Sequence, residues 1–353
     1  MRIGLPREIK DGEFRVALTP TEVRALAVAG HAVVVEPDAG AGIGIDDAQY
    51  TVAGATLGTA WDCGLVIKVK ELQKAEYGKP RRGQTLFGFQ HFGPEPELLD
   101  AALTSGATFV AFETVGQTDG SLPILAPMSA IAGRLAVQMG AWCLQKANGG
   151  SGVLLPGLEG IAAGRVVILG GGNVGGNALH VAHGMGAQVT VFLRSDKRLV
   201  GLRARYPRTD IRVGTDTLAQ VVSDADILIG GVLVPGWMSP KLVTRAMLRS
   251  MRPGSALVDV GIDQGGIAET SRPTSHSAPT YVEEGVVHYC VPNMPAACAL
   301  TASQALARAA LPFLLELAAG KVSPALATGI QVRSGKVTHE HLARDTGRVF
   351  HAP

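Results

Sequence analysis

At 353 residues the chain is long for a single core and comfortable for two. Its 46% apolar and 18% charged residues exclude a disordered chain. A formal net charge of +2, with no long Lys/Arg run, argues against nucleic acid as a partner. The short cluster Arg203, Arg205 and Arg208 reads as solvated surface or cofactor rim.

The opening MRIGLPREIK carries neither an apolar core nor a cleavage signature, so no secretory leader is expected. No apolar run is expected to reach the ~20 residues of a membrane helix. Cys63, Cys143, Cys290 and Cys298 lack C-x-x-C spacing and read as buried, reduced thiols of a cytoplasmic protein, with no metal site.

In chain order, TPTEVRALAVAG predicts a helix that Thr19 or Thr21 caps and Gly30 ends. HAVVVEP, GLVIKVK and ATFVAFE predict buried strands. SAIAGRLAVQMGAWCLQK predicts a long helix over residues 129–146, closed by the flexible NGGSG. Strands follow in VVIL (166–169), QVTVFL, DILIGGV, SALVDVGI and VVHYCV, and TASQALARAALPFLLELAAG predicts a final helix returning to the first domain. The alternation predicts an α/β protein with two Rossmann-like domains and parallel sheets. A nucleotide domain, 125–299, is inserted into a discontinuous substrate domain, 1–124 and 300–353.

Gly170, Gly172 and Gly175 form G-x-G-x-x-G. The motif follows an apolar run, opens a helix, and is closed by a second strand within about 30 residues, the context a dinucleotide site requires. Gly170 permits the tight turn, Gly172 lets a pyrophosphate approach, and Gly175 lets helix and strand pack closely. The helix N-terminus, with Asn173 and Val174, adds unpaired N–H groups for the phosphates. NAD-specific folds usually end the second strand in Asp or Glu, but here that position is Leu193. Nothing there repels a 2′-phosphate, and Arg194, Lys197 or Arg198 can pair with one, while Asp196 is an alternative ribose contact. NAD and NADP both remain open.

These residues resemble the alanine dehydrogenase family, which also contains the NAD-binding part of proton-translocating transhydrogenase. The resemblance covers nearly the whole chain, through RIGLPREIKDGEFRVALTP, VIKVKE, AFETV, LAPMSAIAGRLA, NGGSGVLL, VDVGIDQGGIAETSRPT and VHYCVPNMP in order. It implies interconversion of an L-amino acid, alanine by default, with its 2-oxo acid and ammonia, using a nicotinamide cofactor. By the same resemblance Arg15 and Lys70 bind substrate, with Asn293 beside it, and His91 and Asp263 are catalytic. Ser129, the glycine turn, Val232, Leu233, Asp263, Asn293 and Met294 contact the cofactor. A homo-hexamer acting on small molecules is implied as well, and the lack of a long apolar run predicts no membrane partner.

Chemically, Arg15 can grip a carboxylate bidentately and Lys70 can polarise a carbonyl or imine. Histidine is the side-chain type suited to proton exchange near neutrality, which fits His91 for that role, and Asp263 can orient water or ammonia. Several positions depart from the family pattern: Ala130 follows PMS in place of an acid, Pro94 follows His91 closely, and Trp237 and Met238 replace small and basic residues. Two other readings therefore stand beside alanine: an NADPH-dependent enzyme acting on another 2-oxo acid or imine, and a cofactor-binding homologue without turnover.

Overall fold

The computed structural model describes residues 1–232 and 239–352, so Leu233, Trp237 and Met238 lie outside the described residues. Two compact units form, residues 1–128 with 298–353, and residues 129–297. The breaks expected from sequence were near 124 and 300.

The strands in chain order are β1 Arg2–Leu5, β2 Ala32–Val35, β3 Ala55–Leu57, β4 Leu65–Ile67, β5 Thr85–Gly88 and β6 Thr108–Ala111. They continue as β7 Arg165–Leu169, β8 Gln188–Leu193, β9 Asp210–Val213, β10 Ile227–Gly230, β11 Ala256–Asp259, β12 Thr280–Glu283 and β13 Val286–Tyr289. β14 Ile330–Arg333 and β15 Lys336–Val337 complete the set.

The first unit holds an eight-stranded sheet in the order β15-β14-β6-β5-β4-β1-β2-β3. Strands β1 to β6 run parallel, and β14 and β15 add an antiparallel edge. The second unit holds a seven-stranded sheet in the order β12-β13-β11-β10-β7-β8-β9, parallel except for β12. Each sheet is doubly wound, and its order reverses between its first and fourth strands. Those reversals, β1/β4 and β7/β10, are the switch points at which sheets of this kind bind ligands, outside the carboxyl ends of the strands. The apolar runs of Val, Ile and Leu are continuous because parallel strands are covered on both faces.

The buried clusters follow from this layering. Val66, Leu86, Phe92, Leu99, Phe109 and Val332 pack within the first unit. Val167, Phe192, Leu228, Leu248, Leu257 and Ile267 pack within the second. The long helix expected over 129–146 spans Ala126–Cys143, three residues earlier at each end. The last long helix, Ala299–Ala318, buries Ala302, Leu306, Ala310 and Leu314, and Ser303 Oγ accepts the Val16 N–H at 3.0 Å.

One expectation is corrected here. Met294–Ala318 is a 25-residue helical run containing an 18-residue stretch of mean hydropathy 1.3, long and apolar enough by length and composition to cross a membrane. Core helices pass the same test, and the buried stripe of this one packs against the helix Pro20–Val28. Cys63, Cys143 and Cys290 are buried as expected, whereas Cys298 is only partly so; all four are free thiols.

Candidate active site

The first unit gathers charge where its sheet order reverses. The segment leaving β1 carries Glu8, Lys10, Glu13 and Arg15, and the segment leaving β4 carries Lys68, Lys70 and Glu71. Arg15 is 2% exposed, and its guanidinium meets the Glu13 carboxylate fork to fork, Nε to Oε1 at 2.6 Å and Nη2 to Oε2 at 2.5 Å. The Arg15 Nη1 lies 3.4 Å from Met128 Sδ. Such a fork fixes the plane of the guanidinium as well as its position.

Lys70, expected to end a strand, lies three residues beyond β4. Glu8 ties that extension to the β1 side, its carboxylate accepting the Val69 N–H at 2.5 Å and the Lys70 N–H at 3.4 Å. The Lys70 ammonium is 3.7 Å from Glu71 Oε2, and Lys10 bonds the same carboxylate's Oε1. Burial pulls the Lys70 pKa below the ordinary lysine value, with Lys10 and Arg15 adding to that effect and Glu71 opposing it. Burial works to raise Glu71, but Lys70, Lys10 and His91 outweigh it and hold the carboxyl at about 2. Lys68 belongs to the fold instead, buried between Glu76 at 3.1 Å and Glu8 at 3.4 Å.

His91 follows β5 with its side chain exposed, stacked on Phe89 with ring centroids 5.8 Å apart. Its φ of +48° is a left-handed conformation that non-glycine residues adopt sparingly. Glu113, after β6, holds it there by accepting the N–H groups of Gln90 at 3.1 Å and His91 at 2.9 Å. Backbone strain of this kind clusters where a side chain must be aimed.

In the second unit the glycine turn follows β7 at the other strand-order reversal. Gly170 has φ +97°, and a Cβ there would come within 2.7 Å of Gly231 O, beyond β10. A Cβ on Gly175 would come within 1.8 Å of Gly170 O, so only glycine lets this helix begin here. Among the described residues, a Cβ on Gly172 would meet nothing within 4 Å. Packing among the described residues therefore does not require Gly172, whose bare backbone stands at the N-terminus of the helix Asn173–Gly184. That is the geometry a pyrophosphate needs, and the residues fit a dinucleotide. Gly133 brings the helix Ala126–Cys143 against this turn, since a Cβ there would lie 2.1 Å from Val174 O. Ser129, one turn earlier on that helix, and Ala130 are both half-buried.

Leu193 is 4% exposed and packs beneath Gly171, while Arg194, Lys197 and Arg198 are exposed. Arg198 folds back so that Nη1 donates to Gly171 O at 3.0 Å. Val232 is half-buried just beyond β10. Asp263 is exposed in the short turn Ile262–Gln264 after β11, Asn293 has φ +55°, and Met294 is buried.

Sequence reasoning missed the residues that hold these loops. Asp259, fully buried at the end of β11, accepts the Gly261 N–H at 3.1 Å, the Ile267 N–H at 2.7 Å and the Ser271 hydroxyl at 2.5 Å. Burial raises its pKa. Lys241 donates to the carbonyls of Gly265, Gly266 and Ala268, so the Asp263 loop is tied from both sides. A carboxylate at the carboxyl end of a buried strand was the available signal for Asp259.

A cavity of about 670 Å³ also opens in the second unit, lined by Arg165, His183, Gln188, Arg208 and Arg212. It lies at the amino ends of β7, β8 and β9, the end opposite the glycine turn. Ligands of open α/β sheets bind at the carboxyl ends, so the glycine turn is the stronger candidate despite the size of this cavity.

Two doubly wound sheets, one opening into a glycine turn and the other into a cluster of buried charge, define a two-unit nucleotide-binding α/β protein. Residues 4–132 match the family model "Alanine dehydrogenase/PNT, N-terminal domain", and residues 136–340 match "Alanine dehydrogenase/PNT, C-terminal domain". The chain belongs to the alanine dehydrogenase/PNT family. It is 49% identical to the alanine dehydrogenase of Halomonas elongata over 98% of this chain and 97% of that one. A solved L-alanine dehydrogenase superposes with a TM-score of 0.95 at 44% identity, covering 98% of this chain and 99% of that one. The transhydrogenase from Sinorhizobium meliloti superposes with a TM-score of 0.84 at 26% identity, covering 96% and 99%.

Proposed function

We propose that this chain interconverts L-alanine with pyruvate and ammonia, using a nicotinamide dinucleotide held at the Gly170–Gly175 turn. One observation carries the reading: a bare-backbone helix start at one strand-order reversal, in the same chain as a buried Arg–Lys cluster at the other. Full-length likeness to alanine dehydrogenases supports the choice of amino acid. Bound there, the nicotinamide supplies the hydride exchange, and the protein supplies position and electrostatics.

Arg15, its plane fixed by Glu13, binds the substrate carboxylate. Lys70 holds its proton less tightly than an ordinary lysine, which suits an ammonium that polarises the 2-oxo group and shares a proton with the developing hydroxyl. His91 passes protons between solvent and the carbinolamine nitrogen and oxygen, its exposed ring giving it access to water. Asp263 orients ammonia or water on a loop that Asp259 and Lys241 hold still. Asn293 and Met294, with Ser129 and Val232, line the cofactor. We expect a cytoplasmic homo-hexamer, in keeping with four free thiols.

The reading is tested by mixing pyruvate and ammonium with reduced NAD or NADP and following the loss of the reduced nicotinamide. A panel of longer and cyclic 2-oxo acids is run beside pyruvate. Turnover greatest with pyruvate supports the proposal. Turnover only with another acid, or cofactor binding without turnover, overturns it.

A further inference from the structure

We propose that the rim of the glycine turn selects the 2′-phosphorylated dinucleotide, with Arg198 and Arg194 as the groups that bind its phosphate. This rests on the reading that a nicotinamide dinucleotide occupies the turn. The strand-end position that would present a carboxylate to an adenosine ribose is Leu193. Its side chain does not face solvent: it is buried beneath the turn, with Cδ2 2.3 Å from where a Cβ on Gly171 would stand. At the Leu193 position a ribose 2′-hydroxyl meets no carboxylate to accept from it, and a 2′-phosphate meets none to repel it.

The next five residues carry three cations, Arg194, Lys197 and Arg198, against one anion, Asp196, and all five are exposed. The short turn Asp196–Arg198 brings the chain back over the glycines, so that Arg198 Nη1 bonds Gly171 O at 3.0 Å. That contact engages one of the five N–H donors of the guanidinium, and it anchors the cation one residue from the backbone that receives the pyrophosphate. Arg194 leaves the strand end beside Leu193. A planar, always-charged fork is the side chain best matched to a phosphate dianion, and the Ser195 hydroxyl adds a further donor.

Calorimetric titration of the full chain with NADP, NAD, 2′,5′-ADP and 5′-ADP tests this without depending on turnover. The expected result is tighter binding of NADP than of NAD, and of 2′,5′-ADP than of 5′-ADP. Arg198→Ala and Arg194→Ala should each lower the NADP-to-NAD affinity ratio by about 10- to 100-fold, the range that charge-assisted hydrogen bonds supply. Because Arg198 also braces the turn, Arg194→Ala, at an exposed residue, keeps the test decisive if the first variant is poorly folded. Tighter binding of NAD, or an unchanged ratio in the folded variants, overturns the inference and leaves the dinucleotide reading intact. Absence of binding by all four ligands removes both.

Discussion

Arg15 and Glu13, two residues apart, bond fork to fork inside the first unit, with N···O distances of 2.6 and 2.5 Å. A lysine keeps the charge of Arg15 but cannot span both carboxylate oxygens. Arg15→Lys is expected to lower stability by about 1–3 kcal/mol in urea unfolding, the scale of a lost charge-assisted hydrogen bond at a buried site. Its apparent KM for pyruvate should rise about tenfold or more, with dinucleotide affinity little changed. A normal KM would restrict Arg15 to holding Glu13.

Glu71 gives the fold an acid limit. Its carboxyl titrates at about 2 in the folded protein against an ordinary value of 4.5, held down by Lys70 and Lys10 against the cost of burial. Between those values the unfolded chain takes up a proton that the folded chain refuses, so acid favours unfolding. The contribution, about 3 kcal/mol, is complete above pH 5 and gone near pH 2. Urea titrations at a series of pH values should show Glu71→Gln less stable than wild type at neutrality and converging with it near pH 2. Parallel curves across that range would contradict this account of Glu71.

His91 is held at φ +48° by Glu113 bonding the backbone beside it. Asparagine tolerates that left-handed conformation but cannot exchange a proton near neutrality. His91→Asn should therefore melt within a few degrees of wild type and lose roughly 10²–10⁴-fold in kcat. Its dinucleotide affinity should stay within a few-fold. Retained turnover would remove His91 from the proton path.

Much of this was legible from sequence for a physical reason. Parallel strands covered on both faces read as unbroken apolar runs, so QVTVFL marked β8 at both of its ends. The glycine turn was legible because Gly170 and Gly175 answer steric demands that no other residue meets. Less legible were short or edge strands such as β1, β12 and β15, whose pairing is decided by distant partners. The supports of the site stayed hidden for a similar reason. Glu113 acts on His91 across 22 positions, and Lys241 on Gly266 across 25. Arg198 reaches back 27 residues to Gly171. Nothing local distinguishes these side chains from solvated surface charges until the sheets bring their loops together.

The central claim is that a dinucleotide pyrophosphate lies against the backbone at Gly172, and Gly172→Ala tests it most directly. Among the described residues a Cβ there meets no protein atom within 4 Å, and the residue's φ of −74° suits alanine, so the variant should fold, losing no more than about 1 kcal/mol from the weaker N-cap. In a titration of wild type and variant with NAD and NADP, a Gly172→Ala protein of near-normal melting temperature that binds both at least tenfold more weakly is the predicted result. Equal affinities in a folded variant would contradict the account.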